Sequence, residues 1–283
     1  MRSSILLFLS AASFAQSVPE PVFTDPPADA AHPAKMAVLH IPSHGVSING
    51  LIYQPSGVGP HTTLIICHGL PGNEKNLDLA QAVRRAGWNA VTFNYRGSWG
   101  SAGVFRFAQT LEDAAAVLTF LRDPANAARL GIDTRRIAMA GHSMGGWVVA
   151  HTAAHDRELV GVILISAWNA GRPSASHKAA VAGMADNMES LAGVTPDTMA
   201  TELESNAKEF GLENTAEGLT RAPLLALTAD DGLAPDTDTL VKAIEAKGGR
   251  KVKAIHVATD HSWSDRRIFL ESTVITWLAT LGQ

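Results

Sequence analysis

The sequence predicts an α/β domain: a mostly parallel, doubly wound sheet with an antiparallel N-terminal edge and a helical insertion. Three observations carry this. From residue 62 onward, β-prone apolar runs alternate with helical segments, a rhythm that calls for crossover connections and parallel strands. The run Leu64-Ile65-Ile66-Cys67 is apolar without alternation, as in a strand buried on both faces. Finally, Gly141-His142-Ser143-Met144-Gly145-Gly146 lies between a β-prone segment, Arg136 to Ala140, and a small apolar one, Trp147 to Ala154. A G-x-S-x-G string there belongs to a sharp strand-to-helix turn.

At 283 residues the chain is long enough to bury a core, and 46% hydrophobic with 18% charged residues excludes a disordered protein. A net charge of -4 and the absence of any Lys/Arg run exclude a nucleic-acid partner. Residues 1–15 read as a signal peptide, with Arg2 as the positive charge, Ile5 to Leu9 as the apolar core and Ser13-Phe14-Ala15 as the cleavage site. They imply export to the periplasm or the cell exterior. The stretch is too short to span a bilayer, and no other segment offers the ~20 apolar residues of a membrane helix. The single cysteine, Cys67, has no partner within the chain and reads as a buried, inert thiol.

Residues 16–35, rich in Pro, Ala and Asp, read as an extended arm, and 36–283 as the main domain. Strands are expected from Met36 to Ile41 and from Val46 to Gln54, joined by the turn Pro42-Ser43-His44-Gly45, and these form the antiparallel edge. A strand from Thr62 to Cys67 follows, then a helix from Leu77 to Ala86 stopped by Gly87, and a strand from Trp88 to Phe93. Leu111, Ala115, Leu118 and Leu121 mark a helix from Gln109 to Arg122, ended by Pro124. After the Gly141–Gly146 turn and its helix come strands at Val160 to Ile165 and Pro223 to Thr228. A helix from Pro235 to Lys247, a strand from Val252 to Val257 and a helix from Arg266 to Leu281 complete the chain. Residues 167–221 break the rhythm, with helices expected near His177 to Leu191 and Pro196 to Phe210. An insertion of that length reads as a cap or lid.

A serine hydroxyl becomes a useful nucleophile when a base takes its proton, and the base needs a carboxylate to hold its tautomer. Downstream of Ser143, the loop after the Pro223 strand carries Asp230-Asp231, and the loop after the Val252 strand carries Asp260-His261. The C-terminal ends of parallel strands gather at one rim, where α/β active sites form. Ser143, an acid of the Asp230-Asp231 pair and His261 follow in the order of an α/β-hydrolase triad. Met144 N–H, directly after the nucleophile at a helix N-terminus, is placed to stabilise an oxyanion.

Four motifs, His68-Gly69-Leu70-Pro71-Gly72, Tyr95-Arg96-Gly97, the Ser143 turn and the Asp231/His261 pair, make the chain resemble the α/β-hydrolase superfamily. The nearest branch is that of the serine esterases and prolyl oligopeptidase-like hydrolases, and the likeness covers nearly everything after residue 36. The resemblance implies an acid four residues before a proline in a G-x-x-D-x-x-x-P loop. That points to Asp231, with Thr228 where glycine is usual and Asp230 as the alternative. It further implies that the His68–Gly72 loop supplies Leu70 N–H as the second oxyanion donor, and that His68 shapes this loop without titrating. The expected activity is hydrolysis of carboxylic esters, or of acyl-peptides in the peptidase-like alternative; a dead-site binding module is the third reading.

No cofactor is expected, and none of the eleven histidines falls in a metal-ligand pattern such as H-E-x-x-H. His142 reads as a residue positioned by the turn, and His256, inside a strand, as a packed core histidine. Trp99 and Trp168, with Phe105 and Phe107, are candidates to line a substrate pocket, although each is equally readable as a loop or core aromatic. Met184, Met188 and Met199 read as helix packing. The partner is a small ester or short acyl-peptide substrate of unspecified acyl group.

Overall fold

The structure, a computed structural model, describes residues 17–281; the predicted signal peptide, 1–15, lies outside them. Its centre is one eight-stranded sheet of order β1-β2-β4-β3-β5-β6-β7-β8. The strands are β1 (Lys35–Ser43), β2 (Val46–Gln54), β3 (His61–Cys67), β4 (Asn89–Phe93), β5 (Ile132–His142), β6 (Gly161–Ile165), β7 (Leu224–Ala229) and β8 (Val252–Val257). β1 runs antiparallel to β2 and β2 to β4, and every other pairing is parallel. The expected antiparallel edge is therefore present, in a mostly parallel sheet.

The unbroken apolar run of β3 has a simple cause. Successive side chains point to opposite faces of a sheet, and here both faces are covered. Leu64 and Ile66 join a core with Leu79 and Val83 of α2 (Leu77–Arg85) and Leu270 and Val274 of α9 (Arg267–Thr280). Ile65 and Cys67 join the opposite core, with Val117 of α3 (Phe107–Arg122), Val148 of α5 (Met144–His155) and Leu240 of α8 (Ala234–Ala246). Burial pushes the Cys67 thiol up to about 12, against a weaker opposing effect of Tyr95, so it is inert at neutral pH.

Several boundaries differ from the sequence expectation. The chain does not stay irregular after Pro124: Asp123 caps a further helix, α4 (Pro124–Leu130), accepting from the N–H groups of Ala125 and Asn126. Proline at the first helical position starts a helix as readily as it ends one. The arm contains one turn of helix, α1 (Glu20–Phe23), whose Pro21 and Val22 carbonyls accept from Arg85 of α2. Edge strand β8 leaves His256 exposed, with Nε2 on Asp230 Oδ1 and Nδ1 on Thr228 Oγ1, each at 3.0 Å. The expectation of a core histidine fails because β8 is the last strand and helices do not cover its outer part.

The Tyr95-Arg96-Gly97 segment after β4 is a structural brace. Arg96 is paired with fully buried Asp113 of α3 (Nε to Oδ1 2.6 Å) and with Glu112, while Asp113 also accepts from Arg96 N–H and from Ser43 Oγ. Gly97 has φ 62°, and a Cβ there would lie 2.2 Å from Phe105 N.

Residues 167–221 hold α6 (His177–Ala185), α7 (Pro196–Ser205) and two 3-10 turns, Leu212–Thr215 and Gly218–Thr220. Both helices are shorter than expected, and after α6 the chain trades helical bonds for bonds to the main domain. Ala192 N–H donates to Gly97 O (2.7 Å), Phe105 N–H to Ala192 O (3.0 Å), and Trp99 N–H to Ser190 O (3.1 Å).

Candidate active site

Ser143 stands between the end of β5 and the start of α5, at φ 57° and ψ −120°. A non-glycine residue in such a conformation costs roughly 1–3 kcal/mol, so its surroundings must hold it there. They do so through the backbone. Ser143 N–H donates to Ile165 O, and Ser143 O accepts from Gly146 N–H and Trp168 N–H, each at 3.0 Å. The glycines make the turn possible. A Cβ on Gly141 would come within 2.0 Å of Gly145 O, one on Gly145 within 2.0 Å of Cys67 O, and one on Gly146 within 2.7 Å of Ala167 Cβ. Ser143 is half-buried, so its side chain has access to the surface.

His261 lies in the loop after β8, and its Nδ1 donates to Asp231 Oδ2 at 2.8 Å. That bond fixes the tautomer and leaves Nε2 as the basic nitrogen. The Asp231 side chain is 3% exposed and its Oδ1 accepts from Leu233 N–H (3.0 Å). Burial pushes its carboxyl up, but hydrogen bonds from His261, Leu233 N–H and Ser166 outweigh it and hold it below its ordinary value. The carboxylate therefore stays charged beside the imidazole. Asp230, the alternative acid, turns outward to His256.

His142 ties the two loops together. Its Nε2 donates to His261 O at 2.7 Å, and the two rings lie 4.7 Å apart. Burial, and then the neighbouring His261, push its pKa down to about 4, so it remains neutral. The structure thus brings His261 and Asp231 into contact and holds the His261 loop beside the Ser143 turn. Ser143 Oγ and His261 are not hydrogen-bonded to each other.

The His68–Gly72 loop passes directly over the serine. A Cβ on Gly69 would lie 3.0 Å from Ser143 Cβ and 3.5 Å from its Oγ. Leu70, next along that loop, is half-buried, and Met144 N–H is the first of α5, without an acceptor one turn back. His68 is buried with Nδ1 donating to Gly69 O at 2.7 Å. Burial pushes its pKa down to about 4, so it does not titrate near neutrality.

Trp168 is half-buried, packs on Phe107 and Trp147, and borders a cavity of about 250 Å³ between α6 and α7 that includes Met184 and Leu203. Trp99 is 38% exposed and serves as a tether, with Nε1 donating to Pro71 O at 2.7 Å. Phe105, Phe107 and Met199 are core residues, each at most 1% exposed. Sequence reasoning missed the bracing of the loop by Trp99 and by Ser190, whose Oγ also donates to Pro71 O (3.2 Å). No local pattern announces either contact. Among the described residues no group of three or more His, Cys, Asp or Glu could hold a metal ion, and no helix is long and apolar enough to cross a membrane.

Comparison with known proteins agrees with this architecture. An esterase from the archaeon Pyrobaculum calidifontis has a similar structure, with a TM-score of 0.66 at 21% identity, over 89% of this chain and 85% of that one. An uncharacterized 31.7 kDa protein of Escherichia coli, from the traX-finO intergenic region, is 32% identical over 125 residues, 42% of this chain and 41% of that protein. The quorum-quenching protein AidA of Acinetobacter baumannii is 30% identical over 127 residues, 43% of this chain and 40% of that protein. The match thus spans about two fifths of the length of these curated relatives. The family described as "Serine aminopeptidase, S33" matches residues 59–211, just over half of the chain. The chain belongs to that family, and with its sheet and strand-to-helix serine turn it is an α/β-hydrolase.

Proposed function

We propose that the protein is a serine hydrolase of carboxylic esters that forms an acyl-enzyme on Ser143. The observation that carries this reading is the strained Ser143 turn set beside a histidine held by a buried carboxylate. His261 takes the Ser143 proton through Nε2 as Oγ attacks the ester carbonyl carbon. Asp231 holds the imidazole in orientation and offsets its developing charge. The N–H groups of Leu70 and Met144 receive the oxyanion, and the positive end of the α5 dipole adds to the second. His261 then gives its proton to the leaving alcohol, and a water activated by the same nitrogen releases the acid. Residues 167–221 act as the cap, with Trp168 and the cavity beneath α6 and α7 on the substrate side. Trp99 supports the Pro71 loop. Export by residues 1–15 is part of the same proposal, and N-terminal sequencing of the mature protein tests it.

Ser143→Ala should abolish turnover of a short-chain chromogenic ester; full retention of activity would remove Ser143 from the mechanism. The family's description favours a second reading, in which the scissile bond is an aminoacyl or peptide amide. Parallel kcat/KM values on matched esters and amides separate the two. A catalytically dead module would fail to react with a fluorophosphonate probe.

A further inference from the structure

A cavity of about 270 Å³, lined in part by His68 at the start of the loop over Ser143, is left unused by the proposed ester hydrolysis. Its walls are mostly apolar, with Leu51, Ile66, Leu77 and Phe93 among them, and it carries a single cation, Lys75. The Lys75 ammonium is half-buried and donates to Asn94 Oδ1 at 2.9 Å, with the face of Trp99 at 4.3 Å. No carboxylate pairs with it among the described residues. The acids nearest in sequence are engaged elsewhere: Glu74 accepts from Asn76 N–H, and Asp78 pairs with Arg267. An ammonium drawn partly out of water without a counter-ion is an unfavourable arrangement that an anionic ligand would relieve.

The cavity has a second polar wall. His68, 2% exposed, also lines it. Its Nδ1–H is committed to Gly69 O, which leaves Nε2 as an acceptor, and that atom is buried without a partner. A ligand that fits has an apolar body, an anionic group for Lys75 and a hydroxyl that can donate to His68. The volume lies just under the 300–1,000 Å³ of drug-sized sites, so that ligand is small.

We propose that this cavity is a binding site for a small hydroxycarboxylate with an apolar body, its carboxylate on Lys75 and its hydroxyl directed to His68 Nε2. The site is separate from the chemistry assigned to Ser143. Occupancy would nevertheless be felt there, because Lys75 stacks on Trp99 and Trp99 Nε1 holds Pro71 O.

The test is calorimetric titration of the full chain with mandelate, phenylacetate and benzyl alcohol. Mandelate should bind with one site, phenylacetate about tenfold more weakly, and benzyl alcohol undetectably. Lys75→Gln should weaken mandelate at least tenfold while Ser143→Ala leaves it unchanged. Leu77→Trp, at a position 42% exposed on the cavity wall, should block binding with Lys75 intact. It guards against loss of fold in the lysine variant. Equal binding of mandelate and phenylacetate would remove the role of His68. Binding lost in Ser143→Ala and kept in Lys75→Gln would place the ligand at the serine, and absence of binding at millimolar concentration would overturn the site.

Discussion

Replacing Glu271 by glutamine should stabilise the protein at pH 8 and change it little at pH 5. Glu271 lies on α9, 7% exposed, facing Asp78 of α2. Burial, and then the Asp78 carboxylate, push its carboxyl from 4.5 up to about 7, against the opposing pull of Arg267 and Arg85. Burial also raises Asp78, but its hydrogen-bonded pair with Arg267 outweighs this and keeps Asp78 below its ordinary value. Asp78 therefore holds the charge and Glu271 the proton.

The sign of the effect follows from proton linkage. Below the unfolded value of 4.5 both states bind the proton, and the contribution of protonated Glu271 is fully present. Between 4.5 and about 7 unfolding releases the proton, so stability falls as pH rises; above about 7 the contribution is lost. At 1.36 kcal/mol per unit, a rise of this size corresponds to at most about 3 kcal/mol. Glutamine keeps a donor toward Asp78 and has no proton to lose. At about 2–4 °C per kcal/mol for a domain of this size, E271Q should gain up to about 10 °C in Tm at pH 8. Thermal unfolding of both proteins at pH 5 and pH 8 is the assay. His68, His142 and His151, held neutral by burial down to about 4, give an opposite slope, with stability lost as pH falls. They are common to both proteins and cancel in the difference. An E271Q gain that is the same at pH 5 and pH 8 would refute the reasoning.

Asp231→Asn should cut kcat for ester hydrolysis by about 10⁴, through loss of the histidine's tautomer control, whereas Asp230→Asn should leave it near wild type; steady-state kinetics on one ester compare them. Gly145→Ala should prevent accumulation of folded protein, since its Cβ would sit 2.0 Å from Cys67 O, between backbone segments that are both fixed; soluble yield and the near-UV spectrum report this. Asp113→Ala removes the buried partner of Arg96, leaving it only the part-exposed Glu112, and should lower stability by about 3 kcal/mol, read from the urea midpoint.

Much of the fold was legible because its signals are local. The β3 run, the Ser143 turn and the alternation of strand and helix each come from neighbouring residues, and the alternation calls for crossover connections between parallel strands. The Asp230-Asp231 and Asp260-His261 loops could be paired because parallel strand ends gather at one rim, whereas the choice of Asp231 over Asp230 rests on the family resemblance. Non-local effects were harder to read. Residues 186–194 carry no sign that they leave the helix to bond Gly97 and Phe105, because the donors and acceptors are backbone groups of another segment. His256 looked like a core residue because a strand pattern does not say whether the strand is central or at the edge. Pro124 marks a helix boundary without saying which side of it is helical, and the answer lay in Asp123 as a cap.

The loop over Ser143 shows what those non-local contacts accomplish. An oxyanion donor works only if its backbone is already aimed before charge develops, since any reorganisation is subtracted from the stabilisation. The His68–Gly72 loop has no regular secondary structure to fix it, so other parts of the chain must. Tyr95 Oη donates to His68 O (3.2 Å), while Trp99 Nε1 and Ser190 Oγ both donate to Pro71 O. Tyr95 belongs to the segment pinned by the buried Arg96–Asp113 pair, and Ser190 to the segment that crosses back from the α6–α7 insertion. The insertion is thus bonded to the loop proposed to carry Leu70 N–H. On this reading, changes in residues 186–194 should alter kcat as well as substrate preference. Ser190→Ala, which removes one of the two bonds to Pro71 O and no apolar contact, is the mildest such change. It should lower kcat for small and large esters alike, and an effect confined to the larger esters would mean that the insertion only shapes the pocket.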